Sequence, residues 1–186
     1  MDDNKIIDLY WARSQQAIAE SDRKYGTYCR TIARNILPRL EDAEECVNDT
    51  WLRAWNAMPP QRPSVLQAFF GKLTRNLSLD RWRREHAAKR GGSQIELALD
   101  ELEDCLAARE RVEDALDAQH TAQVISNFLR GLPAADRRLF VRRYWSLDSI
   151  QTLARTFAMS QSQVKSRPFR IRNRMREALE KEGVAL

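Results

Sequence analysis

The chain is poor in the residues that break helices and in those that bind metal. Among 186 residues there are only 6 glycines and 6 prolines. Runs of β-branched residues are scarce, so a sheet protein is excluded and an all-α chain is expected. The three cysteines, Cys29, Cys46 and Cys105, are odd in number and far apart. No pair has a zinc-ligand spacing, and the only imidazoles are His86 and His120. Cys29 and Cys46 sit in apolar helical patterns and read as buried thiols. Without a convergent nucleophile or acid–base set there is no catalytic site to assign, so no enzyme activity, metal or cofactor is expected. No long apolar run is present, which excludes a membrane span. The amino-terminal stretch MDDNKIIDLYWARS is acidic and amphipathic, unlike a secretory signal, and a cytoplasmic location is expected. Hydrophobic residues make up 43% of the chain, enough for folded cores.

What is present is charge, unevenly placed. The net charge is +5. Residues 65–92 carry 7 basic and 2 acidic side chains, and residues 119–186 carry 13 and 5. Between them, residues 93–118 carry 2 basic and 9 acidic side chains. Two basic blocks separated by an acidic one point to two nucleic-acid-facing modules and a linker. The sequence divides into an N-terminal helical domain (1–90), an acidic linker (91–118) opened by the hinge Gly91-Gly92-Ser93, and a C-terminal domain (119–186). Ile95, Leu99, Leu102 and Leu106 keep helical spacing within the linker. The linker is expected to act through charge or as a soluble tether, not as a docked shape.

The C-terminal block holds a pair of capped helices. Asp148 and Ser160 read as N-caps, each followed three residues later by a glutamine, Gln151 and Gln163, the capping-box spacing. Ile150, Leu153, Ala154 and Phe157 share one face of the first helix. Ala158-Met159 leaves room only for a tight corner. The second helix presents Gln161, Ser162, Gln163, Lys165, Ser166, Arg167 and Arg170, side chains suited to base edges and phosphates in a major groove. Arg172 and Arg174 extend the arginine row. Pro168 should remove the bond to the Val164 carbonyl, so a kink or break over residues 164–168 is expected, or a new helix opening at Pro168.

In the N-terminal block, a first helix is expected through Ile6, Ile7, Leu9 and Tyr10 to Ala17 and Ile18. A second runs from about Tyr25 to Leu37, ended by Pro38. A third opens near Asp42, with an apolar face of Val47, Trp51, Leu52 and Trp55 and a polar face of Glu45, Asn48, Asp49 and Arg53. Residues 58–64, with three prolines, form a stiff loop that includes Arg62. A fourth helix buries at least two of Phe69, Phe70 and Trp82. Its basic face carries Lys72, Arg75, Asn76, Arg81, Arg83 and Arg84, a pattern suited to single-stranded nucleic acid.

The order of parts resembles the small sigma factors of bacterial RNA polymerase, the extracytoplasmic-function group. The stretches that carry the resemblance are Asp42–Trp55 with Phe70–Arg84, similar to the family's region two, and Leu132–Trp145 with the helix pair ending Val164-Lys-Ser-Arg, similar to region four. The family's Gln-Glu pair in the clamp-docking helix is Asn48-Asp49 here. The resemblance implies that Glu45, Asn48, Asp49 and Arg53 bind the polymerase. It implies that Arg62, Lys72, Arg75, Asn76, Arg83 and Arg84 open and hold the minus-ten element. It implies that Gln161, Ser162, Gln163, Lys165, Ser166, Arg167 and Arg170 read the minus-thirty-five element. The implied partners are core RNA polymerase and promoter DNA, with room for an anti-sigma factor. The alternative is a helix-turn-helix repressor or activator that binds its duplex without polymerase.

Overall fold

The computed structural model describes residues 1–86, 94–106 and 115–184. The Gly91-Gly92-Ser93 hinge lies outside them. Among the described residues all regular structure is helical, as the composition predicts: α1 Asp3–Trp11, α2 Gln16–Ile36, α3 Leu40–Ala57, α4 Leu66–His86, α5 Gln94–Leu106, α6 Ala115–Gly131, α7 Ala134–Tyr144, α8 Ile150–Phe157 and α9 Gln161–Lys181. The chain divides into two compact units, residues 1–91 and 92–186.

In the first unit α2, α3 and α4 pack against one another and α1 lies on α2. The expected first helix is two helices. Arg13 takes a left-handed conformation, φ 54°, and the chain turns before α2 starts at Gln16. That turn is held by Ser14 N–H donating to the Leu9 carbonyl at 2.9 Å and by the Arg13 guanidinium donating to the Trp55 carbonyl at 2.7 Å. Ala17 and Ile18 therefore belong to α2, which begins nine residues before Tyr25. Asp3 ties α1 to α2, accepting from Lys24 Nζ and from the Tyr25 hydroxyl, both at 2.5 Å.

Phe70 is the centre of this core, fully buried with its ring 5.1 Å from Trp51, 5.6 Å from Tyr25 and 6.4 Å from Tyr10. Truncating such a residue removes about 3–5 kcal/mol. Trp82 is also buried. Leu52, expected on the apolar face of α3, is instead 58% exposed; Ala43, Cys46, Thr50 and Ala54 take the inward positions. Small residues there let α4 approach, and Thr50 Oγ1 lies 3.0 Å from Thr74 Oγ1 across the joint. Gly71 serves the same closeness, because a Cβ there would come within 2.5 Å of the Tyr28 hydroxyl. Cys29 and Cys46 are buried and unbridged, and burial pushes the Cys29 thiol up to about 11.

In the second unit Leu139, Leu153 and Val164 form a buried cluster from α7, α8 and α9, with Ile150, Ala154, Phe157 and Met159 packed on it. The cap of α8 is Ser149, whose Oγ accepts from Thr152 N–H at 3.1 Å. Asp148, the expected cap, is buried and pairs with Arg142 at 2.5 Å. The corner is made by Ala158 in the left-handed conformation, φ 51°. At Ser160 the expected capping box with Gln163 is present.

Two expectations fail here. First, the helix neither breaks nor starts anew at Pro168: α9 runs from Gln161 to Lys181 with the proline inside it. Pro168 falls in step with Val164, Ile171, Met175 and Leu179, all buried. Packing of this apolar stripe offsets the loss of one backbone bond, which alone costs about 3 kcal/mol. Second, residues 94–106 are not a tether: they form α5, which packs on α7 and α9. Ala98 is buried in that contact, while Leu97 is half exposed.

Candidate nucleic-acid interface

Four side chains expected to meet a protein partner, Glu45, Asn48, Asp49 and Arg53, all lie exposed on α3. They share this face because Asp42, Ala43, Cys46, Val47, Thr50 and Ala54 turn the other way. The exposed Leu52 joins them, which the sequence reading missed. Its position in a run with Trp51 and Trp55 imitates a core residue. A cleft beside Leu52 is lined by Ile18, Asp22, Arg30, Asn48, Trp51 and Trp55.

Glu45 has an internal partner. Arg81 Nη1 donates to it at 2.5 Å, Arg81 Nη2 donates to the buried Asp42 at 2.6 Å, and Arg81 Nε reaches Glu85 at 3.3 Å. Arg81, expected on the basic face of α4, therefore faces α3. Its hydrogen bond to Glu45 raises its pKa further.

The remaining basic face of α4 is a stripe. Lys72, Asn76, Asp80 and Arg83 recur at helical spacing and are exposed, with Arg84 at its edge. Asp80 brings one carboxylate into this stripe, 3.9 Å from Arg83. Arg75 is half-buried. Burial, and secondarily the neighbouring Arg83, lowers its pKa. Arg62, in the proline loop, is exposed but pairs with Asp8 at 2.6 Å and lies over the Trp11 ring.

In the second unit, Gln161, Ser162, Gln163, Lys165, Ser166 and Arg170 are exposed on α9, together with Phe169 at 52%. Gln163 also closes the capping box, its Oε1 accepting from Ser160 N–H at 2.9 Å. Arg167 is half-buried and donates to Asp136 of α7 at 3.3 Å. Arg172, expected on the phosphate side, turns inward. It donates to Glu101 of α5 at 3.0 Å and to the Tyr144 hydroxyl.

These surfaces coincide in part with a known family. Residues 23–88 match the family described as Sigma-70 region 2. The match supports a sigma factor of the sigma-70 family, and with it DNA binding and transcription initiation. That family binds core RNA polymerase and promoter DNA, and its region 2 acts in polymerase binding and promoter melting. No curated protein matches the chain. Among the described residues no helix is long and apolar enough to cross a membrane.

Proposed function

We propose that this chain is a sigma factor of the extracytoplasmic-function layout, a dissociable promoter-specificity subunit with no chemistry of its own. It works in the cytoplasm with core polymerase, under an anti-sigma factor where one exists. The observation that carries the proposal is the region 2 match over residues 23–88, the segment that holds both the exposed face of α3 and the basic stripe of α4. On this reading the α3 face, with Glu45, Asn48, Asp49, Leu52 and Arg53, docks on the polymerase. Lys72, Arg75, Asn76, Arg83 and Arg84 of α4, with Arg62, hold the separated minus-ten strand. Stacking and phosphate contacts available only on that strand offset the cost of unstacking. The α8–α9 pair is a helix-turn-helix, and the exposed side chains near the start of α9 read the minus-thirty-five element in the major groove.

The test is a reconstitution with the full chain. Mixed with core polymerase it should co-elute as one complex and direct specific initiation from a promoter library. Tight duplex binding by the chain alone, with no initiation when core is added, would overturn the proposal in favour of a repressor.

A further inference from the structure

We propose that Glu101, on α5, is a positioning residue for DNA reading: it braces the part of α9 beyond Pro168, so that Arg170 is presented to the duplex. The inference rests on the reading of α9 as the DNA-reading helix.

Pro168 leaves the Val164 carbonyl without its helical N–H donor. The missing bond lies between the residues at the start of α9 and the arginines that follow. Two arginines straddle this weak point, and each is anchored on a different element. On one flank Arg167, just before the proline, donates to Asp136 of α7 at 3.3 Å. On the other flank Arg172, one turn after it, donates to Glu101 at 3.0 Å. The second anchor is the more enclosed. Tyr144 donates its hydroxyl to the same carboxylate oxygen at 3.0 Å, and Arg143 Nη2 lies 3.6 Å from the other oxygen. The side chains of Arg143 and Arg172 are 5% and 12% exposed, against 37% for Glu101. Guanidinium groups so far from water need a carboxylate, and Glu101 supplies it to both. The anchored Arg172 guanidinium in turn stands 5.6 Å from the Phe169 ring centre, beside Arg170. A chain of contacts thus runs from α5 to the first residues after the proline.

The sign of one mutation separates this role from a purely electrostatic one. Glu101 is an anion on a unit that binds a polyanion. Removing its charge would tighten DNA binding if charge alone mattered. Removing a brace weakens it.

The experiment selects a preferred duplex from a randomised pool with the full chain bound to core polymerase, then titrates variants against it at fixed salt. Glu101→Gln should weaken specific binding by about tenfold, the worth of one good base contact, and leave binding to an unrelated duplex within about twofold. In a Pro168→Leu background, where the backbone donor is restored, the same change should cost less than about threefold. Glu101→Asp keeps the charge but shortens the reach, and should resemble Glu101→Gln. It also covers the case in which loss of charge unfolds the unit. Tighter binding by Glu101→Gln, no change, or equal losses with and without Pro168 would overturn the brace. A wild-type selection that enriches no sequence would overturn the DNA-reading assignment itself, which is a different result.

Discussion

Arg81 Nη1 on α4 stands 2.5 Å from Glu45 Oε2 on α3, so an acidic residue of the proposed polymerase contact already faces an arginine of its own chain. Glu45 and Asp49 are therefore not equivalent targets. Asp49→Lys changes an exposed residue and should leave the melting temperature within a few degrees, as surface changes within about ±0.5 kcal/mol do, while lowering affinity for core polymerase at least roughly tenfold. Glu45→Lys should lower both. It places a lysine against Arg81, at a stability cost of about 1 kcal/mol for a partly exposed pair. Sedimentation with core polymerase and thermal melting, measured on both variants, check the distinction. Unchanged polymerase affinity in Asp49→Lys sinks the docking assignment.

Asn76→Ala is expected to impair strand opening more than duplex binding. Asn76 is exposed in the middle of the α4 stripe, whereas Arg75 is half-buried, so Arg75→Ala should cost folding stability as well. Permanganate reactivity of minus-ten thymines, compared with filter binding of the same promoter, reads the two effects separately. Reactivity equal to wild type in Asn76→Ala counts against a melting role.

Acid should loosen the joints that α1 and α3 make with α2. Hydrogen bonds from Lys24 and then Tyr25 hold the Asp3 carboxyl below its ordinary value of 3.8, and a hydrogen bond from Arg30 does the same for Glu44, whose ordinary value is 4.5. A carboxyl with a depressed folded-state pKa contributes stability above its unfolded value and loses it as pH falls through the folded one. The contribution is thus complete above about pH 5 and fades below pH 4. Asp3→Asn should flatten the acid limb of the unfolding curve, followed by tryptophan fluorescence. An acid limb identical to wild type removes Asp3 from the account.

Ser160→Ala should destabilise the second unit by about 1 kcal/mol, since it removes one half of a reciprocal cap. Asp148→Asn should act through Arg142 instead of through the helix end, because Ser149 holds the α8 cap. Denaturant titration of both, alone and combined with Ser149→Ala, distinguishes the two. Full additivity of Asp148→Asn with Ser149→Ala is the expected outcome; strong coupling would return the cap to Asp148.

Apolar spacing and capping chemistry were legible in the residues themselves. The Ser160–Gln163 box, the buried Phe70 and Trp82 and the proline loop needed only local rules. The break at Arg13 was not legible, because a left-handed residue with a full side chain leaves no glycine to mark it. Nor was the division of labour among arginines. Arg81 and Arg172 look in sequence like Arg83 and Arg170, and what turns them inward are carboxylates 36, 39 and 71 positions away. The match over residues 23–88 falls where the resemblance places region two, and the exposure of Leu52 was missed because a leucine flanked by tryptophans has the periodicity of a core.

The packing of α5 on α7 and α9 has a consequence for how this chain can be cut and recombined. A fragment that starts at residue 119, where the basic composition begins, would leave Glu101 behind. Arg143 and Arg172 would then lie in the interior without the anion that accompanies them here. The transferable piece starts at residue 94 or earlier. Grafting the proposed DNA-reading helices onto another protein would require carrying over an acidic helix whose composition marks it as spacer, and, on that proposal, exchange of promoter preference between chains should succeed or fail on that boundary.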